Sequence, residues 1–285
     1  MEISENRIRI LARIEEYERL GLFDKDVEDD PETTPLDPDS VDYTQKKLST
    51  RIGSFVANRL GRRHFEKMIK RGDVVLKEVR GAENLETIRK RGALITCNHF
   101  NAFDNYAVYK TLIPILEGRM LYKIIREGNY TSYGGFYGYL FRHCNTLPLS
   151  SSLKGIKALN NAMTELFSRG EKILIYPEQA MWYNYRKPRP LKTGAFRFAK
   201  KNNVPILPIF ITLEDTDRYD ADGLPIQAYT VHVLPAIHPD DTLTTREDSE
   251  RMCRENYRLW AEVYEGFYGK KLEYMTDGEV DACSI

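Results

Sequence analysis

Apolar residues are spaced differently in successive parts of the chain. From Glu2 to Leu20, residues Ile3, Ile10, Leu11, Ile14, Tyr17 and Leu20 recur near helical spacing with charges between them, which predicts a short amphipathic helix. Leu48, Ile52, Phe55, Val56 and Leu60 predict a second amphipathic helix between Tyr43 and Arg71. Beyond it, β-rich runs at Val74–Val79, Ala93–Cys97, Leu121–Ile125, Lys172–Tyr176, Ile206–Ile211 and Tyr229–Leu234 alternate with helical patterns at Asn105–Leu116, Leu153–Ser168, Thr193–Lys201 and Arg246–Phe267. Such alternation predicts an α/β fold: a central, largely parallel twisted sheet flanked by helices, preceded by an N-terminal amphipathic helical region. The expected division is an N-terminal helix and linker over 1–42, a basic amphipathic helix region over 43–73 and an α/β domain over 74–275, with a frayed tail after Tyr274.

Charge sharpens these boundaries. Asp24 to Asp42 carries nine acids against Lys25 and is interrupted by Pro31, Pro35 and Pro38, so it reads as an extended linker. The next segment reverses sign: Lys46, Lys47, Arg51, Arg59, Arg62, Arg63, Lys67, Lys70 and Arg71 are opposed only by Glu66. Its helix has two readings, a surface helix with its apolar stripe in the headgroup boundary of anionic lipid, or a helix docked on the core with a solvated basic face. Over the 285 residues, 42 basic side chains balance 42 acidic ones, so no charge excess argues for nucleic acid. At 42% hydrophobic residues the chain is no disordered polymer. No run approaches the roughly 18 apolar residues of a spanning helix, and the acidic start lacks a secretory pattern, so a cytoplasmic location is expected. Cys97, Cys144, Cys253 and Cys283 lack C-x-x-C spacing and are expected as reduced thiols without structural zinc.

The predicted strand Ala93–Cys97 runs into Asn98-His99-Phe100-Asn101-Ala102-Phe103-Asp104 and then a helical pattern. His99 thus falls at a strand's carboxyl end, where open α/β sheets place their sites, and Asp104 at a helix start, whose dipole favours a carboxylate. A loop of this length lets Asp104 hold one ring nitrogen while the other takes a proton from a substrate hydroxyl. Such spacing alone is common; its placement between strand and helix gives it weight. Cys97, two residues earlier on the same strand, is poorly aligned to act as a nucleophile beside His99.

Four segments, in order, resemble the glycerolipid acyltransferase family typified by bacterial 1-acylglycerol-3-phosphate acyltransferases. Asn98, His99 and Asp104 match its N-H-x-x-x-x-D block. Gly134-Gly135-Phe136-Tyr137-Gly138-Tyr139-Leu140, followed by Asn145-Thr146-Leu147-Pro148-Leu149, is similar to its glycine-aromatic run leading into a strand. Tyr176-Pro177-Glu178-Gln179-Ala180-Met181 is similar to F-P-E-G-T-R, and Lys192-Thr193-Gly194-Ala195-Phe196 with Val204-Pro205-Ile206-Leu207-Pro208-Ile209 matches the downstream blocks. The resemblance implies that His99 is the catalytic base and Asp104 its orienting acid, with Asn98, Lys192 and Gly194 near the substrate; Glu178, on the same sheet edge, would bind the acceptor or brace the basic loop, or simply pair with a nearby cation. Two family arginines that help hold the acceptor's phosphate are replaced, by Met181 and by a position within Ser150–Ser152; Arg126, Arg142 and Arg186 are the candidate substitutes, with Lys187 and Arg189 in the same basic loop.

The implied activity is transfer of a fatty acyl group from acyl carrier protein or coenzyme A to a lysophospholipid hydroxyl, with no cofactor and no metal. Rival readings are an acceptor without phosphate, such as a lyso-aminolipid or small amine or alcohol, a hydrolase, and a non-catalytic lipid-binding member of the fold. The resemblance moves the basic helix toward an anionic membrane surface, with Leu48, Ile52, Phe55, Val56, Leu60, Arg51 and Arg59 in contact and the protein peripheral on the inner face of the cell membrane.

Overall fold

The computed structural model describes residues 3–284. Helix α1 (Glu5–Arg19) starts where the Ser4 hydroxyl accepts from the Arg7 amide, and α2 (Leu48–Arg71) stops at Gly72, whose φ of 74° a side chain disfavours. Then follow β1 (Val75–Arg80), β2 (Ala93–Cys97), α3 (Asp104–Leu116), β3 (Leu121–Arg126), α4 (Glu127–Thr131), α5 (Gly135–His143) and β4 (Thr146–Leu149). The chain continues through α6 (Leu153–Ser168), β5 (Lys172–Ile175), β6 (Leu191–Lys192), α7 (Gly194–Asn202), β7 (Ile206–Tyr219), β8 (Pro225–Val233), α8 (Thr245–Tyr268) and β9 (Cys283–Ser284). Seven strands form one sheet in the order β1-β8-β7-β2-β5-β3-β4, parallel throughout except for the β7–β8 pair.

Burial on both faces explains the strand sequences. Every residue of β2 and β5 is buried, which favours continuous Leu and Ile runs over alternation. One face is covered by α6, α7 and α8, with Phe196, Phe210, Trp260 and Met163 at its heart. The other is covered by α3, where Val108, Leu112 and Ile115 meet Ile95, Leu207 and Val231.

The predicted linker lies along the body. Phe23 and Val27 pack with Ile10 and Ile14 of α1 against Trp182 and Tyr183. Its acids are matched by cations from elsewhere, Glu28 by Arg7, Asp29 by Arg13, Asp26 by Arg126 and Asp24 by Lys192, so local repulsion is relieved. The tail expected to fray is also held: Tyr274 and Val280 join this cluster, and β9 pairs with β6. That pairing carries Cys283 to α8, where it forms a disulfide with Cys253. The expectation of reduced thiols is corrected for these two, which lie 30 residues apart and meet only through the fold, whereas Cys97 and Cys144 are free.

Helix α2 packs by its small residues. Ser54, Ala57 and Gly61 are its buried positions, and a side chain on Gly53 would press against the His143 ring of α5. Its large apolar residues Leu48, Ile52, Phe55, Val56 and Leu60 face outward, Phe55 at 65% exposure. No described helix is long and apolar enough to cross a membrane.

Because the disulfide fixes the tail to α8, Cys283→Ser should lower stability by about 2–4 kcal/mol in urea titration, and Cys144→Ser by much less.

Candidate active site

The centre of the site is a carboxylate. Strand β2 lies between β5 and β7, and Asn98 at its end is pinned: its amide donates to the Ile211 carbonyl (3.0 Å) and accepts from the Ile211 amide (2.8 Å). The loop then turns inward so that Asp104, the first residue of α3, is wholly buried. Its Oδ2 lies 2.7 Å from His99 Nδ1 and accepts from the amides of Phe100 (3.2 Å) and Asn101 (3.3 Å), while Oδ1 accepts from the Tyr176 hydroxyl (2.5 Å). The positive end of α3 adds to this anion site. Burial, then the field of Asp104, holds the Tyr176 phenol well above its usual pKa, so it stays a donor. Its ring stacks on the imidazole at 3.9 Å between centroids and 16° between planes.

The imidazole is fixed on one nitrogen and one face and is still 22% exposed. With Asp104 accepting at Nδ1, the neutral ring carries its proton there and offers Nε2 as a base. Nε2 makes no hydrogen bond among the described residues. Burial, then the fields of Asp104 and Glu178, pushes the Cys97 thiol up, which removes it as a nucleophile.

His99 lines a cleft of about 1600 Å³. Its floor includes Leu121 and Ile125 of β3, its walls Tyr109 and Ile113 of α3 and Leu140 and Phe141 of α5, and α2 contributes Ile52, Phe55 and Phe65. The lining is mostly apolar, with room for a hydrocarbon chain. The aromatic run from Tyr130 to Phe141 is thus partly cleft wall, folded as α4 and α5, which the strand-and-helix alternation did not reveal.

The structure redistributes the other predicted site residues. Of the readings for Glu178, acceptor binding or bracing the basic loop, the contacts are those of a brace: it is 2% exposed, one oxygen accepts from the His99 amide (3.0 Å) and from Arg189 Nη2 (2.8 Å), the other from the Arg189 amide (2.8 Å). Asn98 is spent on β7. Arg186 is bound to Asp215 (2.6 Å) outside the cleft, and Arg142 donates to the Tyr133 carbonyl (2.9 Å). Arg126, Lys192 and Gly194 do line the cleft, as do Leu48, Arg51, Ile52 and Phe55, whereas Val56, Arg59 and Leu60 do not.

Arg189 is the residue whose weight the sequence concealed. Its side chain is 1% exposed and also donates to the carbonyls of Phe23 (2.9 Å), Ala180 (2.5 Å) and His99 (3.3 Å), over the Trp182 ring. Only its place between Pro188 and Pro190, in a stiffened loop, hinted at a fixed position. Among the described residues no group of three His, Cys, Asp or Glu side chains is placed to hold a metal.

Residues 77–212, from β1 into β7, match the family model described as Acyltransferase. They are an acyltransferase-family domain. Among solved structures the chain is similar to the 1-acyl-sn-glycerophosphate acyltransferase PlsC from Thermotoga maritima, at 18% identity and a TM-score of 0.49, over 81% of this chain and 87% of that one. No curated protein matches the sequence. The matched region holds His99, Asp104, Tyr176, Glu178 and Arg189, but the segment carrying Phe23 and all of α2 lie outside it.

Removing the cation of a buried pair strands the anion. Arg189→Met should therefore destabilise the protein by about 3–5 kcal/mol in urea unfolding, and adding Glu178→Gln should recover part of that loss.

Proposed function

We propose that this acyltransferase moves a fatty acyl group from an acyl carrier protein or coenzyme A thioester to the hydroxyl of a lysolipid at a membrane surface. The observation that carries the reading is the His99–Asp104 pair opening on a large, mostly apolar cleft. In this reading His99 Nε2 takes the proton of the acceptor hydroxyl as its oxygen attacks the thioester carbonyl carbon. The Asp104 carboxylate stabilises the imidazolium that forms. The tetrahedral intermediate collapses, the carbon–sulfur bond breaks, and the leaving thiolate takes the proton back from His99. A thioester is already activated, so one oriented base plus positioning suffices, and no covalent acyl-enzyme is required.

Helix α2 supports the membrane part. Its outward stripe contains Ile52 and Phe55, which also line the cleft, so lipid contact and cleft entry share one edge. Leu149 and Ile156, both exposed, also line the cleft, and Leu153 between them in sequence is 87% exposed. Arg51 and Arg59 then face anionic headgroups, at about 1 kcal/mol per basic residue near the surface. Acyl thioesters and a basic helix together favour the cytoplasmic leaflet.

With a labelled acyl thioester and a lysolipid panel, His99→Ala and Asp104→Ala should each cut transfer at least ~100-fold. Activity within about threefold of wild type would remove the dyad from the chemistry. In liposome flotation, Ile52→Asp with Phe55→Asp should reduce binding to anionic vesicles severalfold without changing the urea midpoint, since both side chains face out. Unchanged flotation would refute the membrane role of α2.

A further inference from the structure

Three of the six Lys and Arg side chains that line the cleft are taken by the chain's own carboxylates. Arg126 lines the cleft that His99 lines and is held in a bidentate pair by Asp26, at 2.5 and 2.6 Å, with Asp30 at 3.5 Å. Lys192, on the same lining, is paired with Asp24 at 3.1 Å. Arg189, against the His99 backbone, is matched by Glu178, and outside the cleft lining Arg186 is matched by Asp215 and Lys187 by Glu18.

Asp24 and Asp26 are fixed in place. Phe23 and Val27 on either side are buried, at 6% and 0% exposure. Between them, the Lys25 carbonyl accepts from Trp182 Nε1 (2.8 Å), and the Phe23 carbonyl accepts from the buried Arg189. The segment is thereby stitched to the loop that carries Glu178, and both carboxylates, with their cations, line the cleft.

We infer that Asp24 and Asp26 filter the acceptor: by occupying Lys192 and Arg126 they exclude a phosphate monoester beside the reacting hydroxyl, so the acceptor is a single-chain lipid alcohol without that group. This rests on the acyltransferase reading above and specifies its acceptor. A 1-acylglycerol-3-phosphate carries its phosphate on the carbon next to the hydroxyl that must reach His99. To be held there it has to break a bidentate guanidinium–carboxylate pair and sit against two fixed anions. An uncharged or amine-bearing headgroup meets neither obstacle.

Among the described residues, the cleft-lining cations without a carboxylate partner are Arg51, Arg62 and Lys123. They belong to α2 and the floor. Lys123 lies level with Leu174 and, through it, with Ile95, four positions before His99, which at about 3.3 Å per residue sets it on the order of 13 Å back along the sheet. A phosphate bound there holds its neighbouring hydroxyl away from the base.

The test uses the full chain, a labelled acyl thioester and three single-chain acceptors: 1-acylglycerol-3-phosphate, monoacylglycerol and a phosphate-free lyso-aminolipid. At least one phosphate-free acceptor should exceed the phosphate acceptor at least tenfold in kcat/KM, and the last two arms separate neutral from amine headgroups. The double variant Asp24→Asn/Asp26→Asn should shift the ratio toward the phosphate acceptor about tenfold, through its KM; a ratio of two acceptors on one protein is insensitive to partial unfolding. A wild-type preference for the phosphate acceptor, or an unchanged ratio in the double variant, overturns the filter. So does a rise in the phosphate acceptor's KM in Arg62→Gln or Lys123→Gln, which would show the headgroup read elsewhere. If those results come with His99-dependent transfer, the acyltransferase reading survives and only the filter falls; if no thioester is consumed with any acceptor, both fall.

Discussion

A fully buried carboxylate with four converging donors organises this site. Asp104 accepts from the His99 ring, the Phe100 and Asn101 amides and the Tyr176 hydroxyl. Burying an isolated carboxylate costs several kcal/mol, and each hydrogen bond to a charged group returns about 1.5–3 kcal/mol, so the anion is stable only while the loop, β2 and β5 stay together. The same contacts that stabilise Asp104 therefore orient the base. The phenol of Tyr176 acts twice, as a donor to Asp104 and as a stacking surface that leaves the imidazole one open side.

Around this centre lies a second buried pair, Arg189 with Glu178, whose bonds are almost all structural. It joins the His99 backbone, the turn at Gln179 with its φ of 68°, and the Phe23 carbonyl. The N-terminal segment thus belongs to the site although it precedes the family domain by some fifty residues in sequence. Its fixed position explains how carboxylates in a stretch so rich in acid come to stand at the cleft beside Arg126 and Lys192.

The dyad was legible because its determinants are local: one strand, one short loop and one helix start bring His99 and Asp104 together. The alternation of Leu and Ile runs with helical patterns likewise gave the parallel sheet, since burial on both faces leaves a clear composition. The rest depends on contacts between distant segments. Nothing in the local pattern says that Glu178 turns inward to Arg189, that Asp26 meets Arg126 across 100 residues, or that Cys283 reaches Cys253. An acidic, proline-broken stretch read alone is a solvated linker, and only its partners elsewhere make it a wall. Charge counting failed for the same reason: the cations nominated for the substrate were real, but most were already neutralised.

The periodicity of α2 is ambiguous in an instructive way. An amphipathic stripe ordinarily marks the buried face, yet here the inward face is the small one, Ser54, Ala57 and Gly61, and the large residues are left outside. Small residues let α2 come close to α5, and both helices contribute to the cleft lining. A stripe of Leu, Ile and Phe facing water is costly, at about 25 cal/mol per Å² of apolar surface, and that cost is removed on contact with hydrocarbon. Under the proposed function this one helix would serve both membrane and cleft: its outer face would lower the energy of a membrane-bound state, and Ile52 and Phe55 at its edge line the cleft that holds His99.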